Sequence, residues 1–229
     1  MPRVLLFDID LTMVKTQGAG RAAMELAFAR EFGIEKATEG ILFDGRTDRG
    51  IFFETLERHG RGGEALIPNY ARFAEAYLEL LPGWIVQKGG GVVLPGVHDL
   101  LAALETRDEA VLGLATGNMR RGAAHKLGHF GLWERFAGGG FGDDHTVRAD
   151  LVRAGIEELA GLFSFDPDLA NVVVLGDTPL DVEAAHAAGA RALGVATGRF
   201  SVEELKASGA EFAVQDLSDT RAVLEMLLG

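Results

Sequence analysis

The chain has 229 residues, enough for one large domain or one domain with an insert, and 48% of them are hydrophobic, ample for a packed core. It has no cysteine, which excludes disulfides and thiolate chemistry, and no stretch approaches the roughly 18–20 uncharged apolar residues of a membrane span. Lys+Arg 22 against Asp+Glu 34 give a net charge of −12, which disfavours nucleic acid and anionic membranes as partners.

The first residues, Met1-Pro2-Arg3, lead directly into an apolar run without a signal-peptide pattern, so a cytoplasmic protein is expected. Val4-Leu5-Leu6-Phe7 reads as a buried strand that ends in Asp8-Ile9-Asp10. Side chains two apart on an extended chain share a face, so both carboxylates can point into one crevice at the strand's carboxyl end, where open α/β sheets bind ligands. Two like charges held close either raise one pKa or call for a cation, and Mg²⁺ suits such oxygen ligands. Taken alone, the pair also fits a strand end with Asp10 in a turn.

Residues 19–32 are rich in helix formers with apolar positions at helical spacing, and helices continue over 49–59 and 64–81. No strand is expected between Val14 and Trp84. This block therefore reads as a helical insert, with Leu81-Pro82-Gly83 and Gly89-Gly90-Gly91 as candidate return boundaries. From Val92 onward strands and helices alternate. Strands are expected over 111–115, 136–141, 172–175, 192–196 and 212–214, and helices over 95–105, 119–129, 146–161, 179–188, 203–208 and 218–228. Alternation of this spacing implies a doubly wound, mostly parallel α/β sheet, here interrupted early by a helical cap. The expected division is an α/β core of residues 1–14 and 89–229 and a cap of residues 15–88.

Three of these strands end in polar residues: Asp8/Asp10, Thr116/Asn118 and Asp177/Asp181. In a parallel sheet all carboxyl ends lie on one edge, so the three groups can converge, with Arg148 as a nearby positive charge. Each group also has a structural reading: Thr116 or Asn118 can cap the next helix, Asp177 can cap the helix at Pro179 with Asp181 as a first-turn acid, and Arg148 can be a solvated helix residue. Their joint occurrence in this order favours a site. Asp44-Gly45-Arg46-Thr47-Asp48 reads as a turn with an N-cap, or as a loop in which Arg46 meets a second anionic group of a substrate. Gly89 to Gly91 and Gly138 to Gly140 lack the Lys-Ser/Thr of a nucleotide loop, and His125 and His145 read as bystanders.

With these residues the chain resembles the haloacid dehalogenase (HAD) superfamily, specifically phosphatases with a helical cap after the first strand, and phosphoglycolate phosphatase-like proteins look closest. Phe7-Asp8-Ile9-Asp10-Leu11-Thr12, Leu114-Ala115-Thr116-Gly117-Asn118 and Leu175-Gly176-Asp177-Thr178-Pro179-Leu180-Asp181 match its first, second and fourth motifs. Leu11 stands where the family usually has glycine. The stretch Gly142-Asp143-Asp144-His145-Thr146-Val147-Arg148 offers Arg148 where a lysine followed by proline is usual, and an arginine can still hold a phosphoryl oxygen, through a fork rather than a point charge.

The resemblance implies a Rossmann-like core and a Mg²⁺-dependent phosphomonoesterase acting on a small soluble phosphorylated metabolite, as a monomer or homodimer. It implies that Asp8 is the nucleophile that forms an aspartyl-phosphate, with Asp10 as acid and then base. Asp8, Asp10 (through its carbonyl), Asp177 and Asp181 would hold the metal. Thr116, Arg148, Thr12, Gly117 and Asn118 would hold the phosphoryl group. A sugar-phosphate mutase shares these motifs, and a phospholigand-binding protein without turnover is the alternative outside enzymes. A phosphonatase would need a cap lysine, for which Lys36 is the main candidate.

Overall fold

The computed structural model describes residues 2–63, 66–143 and 145–229. The expected helix start at Glu64, and Asp144 in the stretch leading to Arg148, lie outside the described residues. In chain order the elements begin with β1 (Arg3–Phe7), β2 (Val14–Lys15), α1 (Ala19–Phe32), α2 (Asp48–Arg58), α3 (Leu66–Gln87) and β3 (Val92–Val93). Next come α4 (Val97–Glu105), β4 (Ala110–Ala115), α5 (Arg120–His129), β5 (Gly139–Gly140) and α6 (Arg148–Phe163). The chain closes with β6 (Val172–Gly176), α7 (Pro179–Ala187), β7 (Arg191–Val195), α8 (Val202–Ala207), β8 (Phe212–Val214) and α9 (Thr220–Leu228).

Six strands form a parallel sheet in the order β5-β4-β1-β6-β7-β8. The fold is a doubly wound α/β sheet. Strand β1 lies inside it, with Val4 opposite both Val111 and Val172 and Phe7 opposite both Leu114 and Leu175. That register brings the residues just past Phe7, Ala115 and Gly176 to one sheet edge. Alternation along β1 serves two cores: Leu5, Phe7 and Ile9 face Leu100, Leu104, Leu127 and Val223 of α4, α5 and α9, while Val4 and Leu6 face Leu151, Ile156 and Val182 of α6 and α7. A sheet covered on both faces needs apolar residues at every strand position, which explains the unbroken run Val4 to Phe7.

A third cluster belongs to α1, α2 and α3. Phe28, Phe52, Phe73 and Tyr77 are fully buried there, with the Phe28 and Phe73 rings 4.5 Å apart and those of Phe52 and Phe73 5.0 Å apart. Two expectations are corrected in this region. Val14–Lys15 forms a short strand, paired antiparallel with Val92–Val93 where the chain returns to the sheet. Helix α3 runs through Pro82-Gly83 to Gln87, so that pair is no boundary. Proline cannot donate to the carbonyl one turn back, but Leu78, Leu81 and Ile85 all remain buried on one face across it, and that packing outweighs the lost bond. The strand expected over 136–141 shrinks to Gly139–Gly140. Among the described residues no helix is long and apolar enough to cross a membrane.

Truncating the ring at the centre of the helical cluster should be costly. Phe52→Ala is expected to destabilise the protein by about 3–5 kcal/mol, read as a lower denaturant midpoint.

Candidate active site

Asp8 is the first residue past β1. Its amide donates to the Leu175 carbonyl at 2.9 Å, which continues the β1–β6 ladder by one step and fixes the carboxylate at the sheet edge. The chain then turns sharply. Leu11 has φ 60°, in the left-handed region, and its amide donates to the Val14 carbonyl at 2.8 Å. A leucine there is strained by about 1–2 kcal/mol. The turn that a glycine would make easily is thus made by leucine, held by the Thr197 hydroxyl, which donates to the Leu11 carbonyl.

Asp177 follows β6 directly, and Asp181 sits in the first turn of α7. Thr178, not Asp177, is the N-cap of that helix. Its amide and hydroxyl donate to Asp181 Oδ2 at 3.0 and 2.7 Å, in a reciprocal capping box. Asp181 is therefore both a capping residue and a site residue, since its other oxygen faces Arg148. One oxygen from each of Asp8, Asp177 and Asp181 lies within 4.8 Å of the others, and all three residues are buried. Arg148, at the start of α6 with 9% of its side chain exposed, donates from Nε to Asp181 Oδ1 at 2.7 Å. Its Nη2 is 3.0 Å from Asp8 Oδ1 and also pairs with Asp181, and Nη1 donates to the Gly45 carbonyl at 3.3 Å.

Three carboxylates against one guanidinium leave two formal negative charges. Burial pushes Asp8 up to about 6, and Asp181 and Asp10 push the same way while Arg148 opposes them. Asp177 is pushed up to about 9, first by burial and then by Asp181 and Asp8. Among the described residues nothing hydrogen-bonds its carboxylate. Arg148 is held still more firmly in its charged form by Asp181 and Asp8, against the cost of its burial. A buried acidic trio with an unpartnered member and all-oxygen donors fits a hard divalent cation.

The second strand end closes the site. Thr116 is fully buried, and its hydroxyl accepts from Asn118 Nδ2 at 2.8 Å and from the Asn118 amide at 3.3 Å. Neither residue caps α5, whose N-cap is Met119 without a side-chain bond. Instead the Met119 amide donates to Asp48 Oδ2 at 2.9 Å and the Arg120 amide to Asp143 Oδ2 at 2.7 Å. Asp48 in turn donates its amide to the Gly117 carbonyl at 2.8 Å, which ties the start of α2 to this loop. Gly117 has to be glycine: a Cβ there would collide with the Arg46 carbonyl.

A cavity of about 390 Å³ opens between the sheet edge and the helical layer. Asp8, Asp10, Gly117, Asn118, Arg148, Asp177 and Arg46 line it; Thr12, Thr116 and Asp181 are buried and do not line it. The Thr12 hydroxyl is buried without a hydrogen-bond partner. Arg46 turns its guanidinium to Glu54, at 2.8 Å, and Thr47 caps α2 by accepting from the Gly50 amide at 3.0 Å, so the loop is both a capped turn and a cavity wall. Lys36, His125 and His145 do not line the cavity.

Several cavity residues escaped the reading of the sequence, among them Lys126, Arg21 and Tyr77. Lys126 Nζ lies 2.5 Å from Asp10 Oδ2 and 2.6 Å from Asn118 Oδ1. Its signal was available, since it shares a helix face with the apolar positions Ala123 and Leu127, an unusual place for a lysine.

Comparison with known proteins supports the family of this site. Residues 148–220 match a family model described as HAD-hyrolase-like. A protein of Dickeya dadantii (strain 3937) called "Probable phosphatase IndB" is 28% identical over 235 residues, covering 100% of this chain and 96% of that protein. Among solved structures, a hydrolase from Pseudomonas syringae superposes with a TM-score of 0.72 at 22% identity, covering 99% of each chain. A β-phosphoglucomutase (pgmB) from Clostridium difficile superposes with a TM-score of 0.69 at 17% identity, covering 100% of this chain and 98% of that one.

Two outcomes test this geometry. A Cβ at Gly198 would collide with Asp177 Oδ2, so Gly198→Ala is expected to weaken divalent-cation binding more than tenfold in calorimetric titration while the far-UV spectrum stays unchanged. Burial pushes Asp48 up to about 7 despite Lys126. A carboxyl group raised on folding holds its proton better in the native state, so its contribution is present at low pH and is lost as pH rises from about 4 through about 7. Asp48→Asn should therefore gain stability relative to wild type over that range, in melts recorded from pH 4.5 to 8.

Proposed function

We propose that the chain is a haloacid dehalogenase superfamily hydrolase, a Mg²⁺-dependent phosphatase that hydrolyses a small soluble phosphomonoester, phosphoglycolate-like in size, through an aspartyl-phosphate on Asp8. The observation that carries this reading is the buried Asp8 carboxylate, which lines a small cavity between Arg148 and two further buried acids.

In this reading an oxygen of Asp8 attacks phosphorus while the bond to the leaving oxygen breaks, and Asp10 gives that oxygen its proton. Water then attacks the aspartyl-phosphate and loses a proton to Asp10, which frees inorganic phosphate and restores Asp8. A carboxylate nucleophile splits one hard displacement into two, and one nearby acid serves both halves. Arg148 holds a phosphoryl oxygen through its fork, and the Gly117 amide and the loop that carries Asn118 line the same cavity. Asp8, the Asp10 carbonyl, Asp177 and Asp181 would hold Mg²⁺, whose positive charge would let the anionic nucleophile approach an anionic phosphate. Residues 15–88 serve as a cap that shields the reaction from bulk water and selects the leaving group.

The test is phosphate release from p-nitrophenyl phosphate and a panel of small phosphate esters. Turnover is expected for wild type with Mg²⁺, none with EDTA, and a loss of more than about 10³-fold for Asp8→Asn, whose fold is retained. Equal turnover by Asp8→Asn would remove Asp8 as nucleophile, and absence of turnover in every case would overturn the phosphatase reading.

A further inference from the structure

We propose that Lys126 is a positioning residue for the acid–base carboxylate: with Asn118 it clamps Oδ2 of Asp10 and leaves Oδ1 as the oxygen that exchanges the proton. The inference rests on the phosphatase reading above, since it needs Asp10 to protonate a leaving alcohol.

Lys126 rises from α5 behind the loop that carries Thr116 and Asn118, and only 4% of it is exposed. A buried ammonium needs partners, and this one has two: Asp10 Oδ2 at 2.5 Å and Asn118 Oδ1 at 2.6 Å. Lysine only donates, so Oδ1 of Asn118 must face it, and the amide nitrogen is thereby turned to Asp10 Oδ2 at 2.8 Å and Thr116 Oγ1 at 2.8 Å. Lys126, Asp10 and Asn118 thus close a ring whose orientation leaves no freedom for an amide flip. Both bonds to Asp10 fall on the same oxygen. Among the described residues nothing bonds Oδ1, and 40% of the side chain is open toward the cavity.

This division of labour suits both halves of the reaction. When Asp10 is protonated, Oδ2 acts as the carbonyl oxygen and keeps both donors, while the O–H on Oδ1 points at the ester. As the phosphorus–ester bond breaks, its electron pair stays on the ester oxygen, which takes the Oδ1 proton and leaves as the alcohol. In the second half Oδ1 takes the proton of the attacking water, as the new phosphorus–oxygen bond forms and the bond to Asp8 breaks. The carboxylate need not rotate between the two steps.

A merely structural Lys126 would affect all substrates alike, whereas a clamp on the acid matters in proportion to the leaving group's need for a proton. The test compares kcat/KM, which reports the first phosphoryl transfer, for p-nitrophenyl phosphate and for the best alkyl phosphate of the substrate panel. Lys126→Met is expected to lose about 10²-fold on the alkyl ester and at least ten times less on the aryl ester, with inorganic phosphate still bound. Lys126→Gln keeps one N–H for Oδ2 and should fall between the two, and it decides the matter by the same ratio if the methionine variant does not fold. Equal losses on both esters, or no loss on either, would overturn the clamp. A wild type inactive on both esters would instead defeat the phosphatase reading itself.

Discussion

The mutual repulsion of buried carboxylates at one sheet edge is the constraint around which this molecule is built. The parallel register that seats β1 between β4 and β6 sets Asp8 beside Asp177, and the capping box of α7 adds Asp181. Water, which would screen these charges, is largely excluded, so the cost of holding them together shows as raised proton affinity at Asp8 and Asp177. Arg148 offsets part of that cost by bridging Asp8 and Asp181, and the charge that remains is what a divalent cation would satisfy. Folding by itself does not favour such a cluster; only a ligand that needs it does.

The same guanidinium also joins the two halves of the cavity, through the Gly45 carbonyl in the loop before α2. A second tie lies beside it, where Asp48 exchanges backbone and side-chain bonds with Gly117 and Met119. Contact between the helical layer and the sheet is therefore polar at the site, whereas Phe28, Phe52 and Phe73 keep their apolar contact within the layer. Away from these polar ties, Leu78 and Leu81 of α3 pack beside Met119 and Gly122 at the start of α5, so the contact between the two layers is part polar and part apolar.

Much of the fold was legible. The apolar runs of β1 and β6 have no alternative to a doubly covered sheet, and the boundaries of α1 and β8 follow directly from composition and spacing. Where local signals misled, packing had overruled them. Pro82-Gly83 would end an isolated helix, but the buried stripe of Leu78, Leu81 and Ile85 carries α3 through it. The segment before α6 would make a longer strand by composition, but only Gly139–Gly140 pairs with β4 as a strand, with single backbone bonds from Ala137 to Leu112 and from Leu114 to Gly138 before it.

For the site, the sequence by itself determined which acids stand at strand ends and that a parallel sheet would gather those ends on one edge, because that follows from strand direction alone. It could not decide how the charges pair. Which carboxylate faces Arg148, that Arg46 turns to Glu54 and that Lys126 reaches Asp10 from a helix 116 positions away in the chain depend on side-chain directions and on approaches between distant segments. Those were decided only when the helical layer closed over the sheet, since a buried charge settles with whatever opposite charge or dipole the packing leaves within reach.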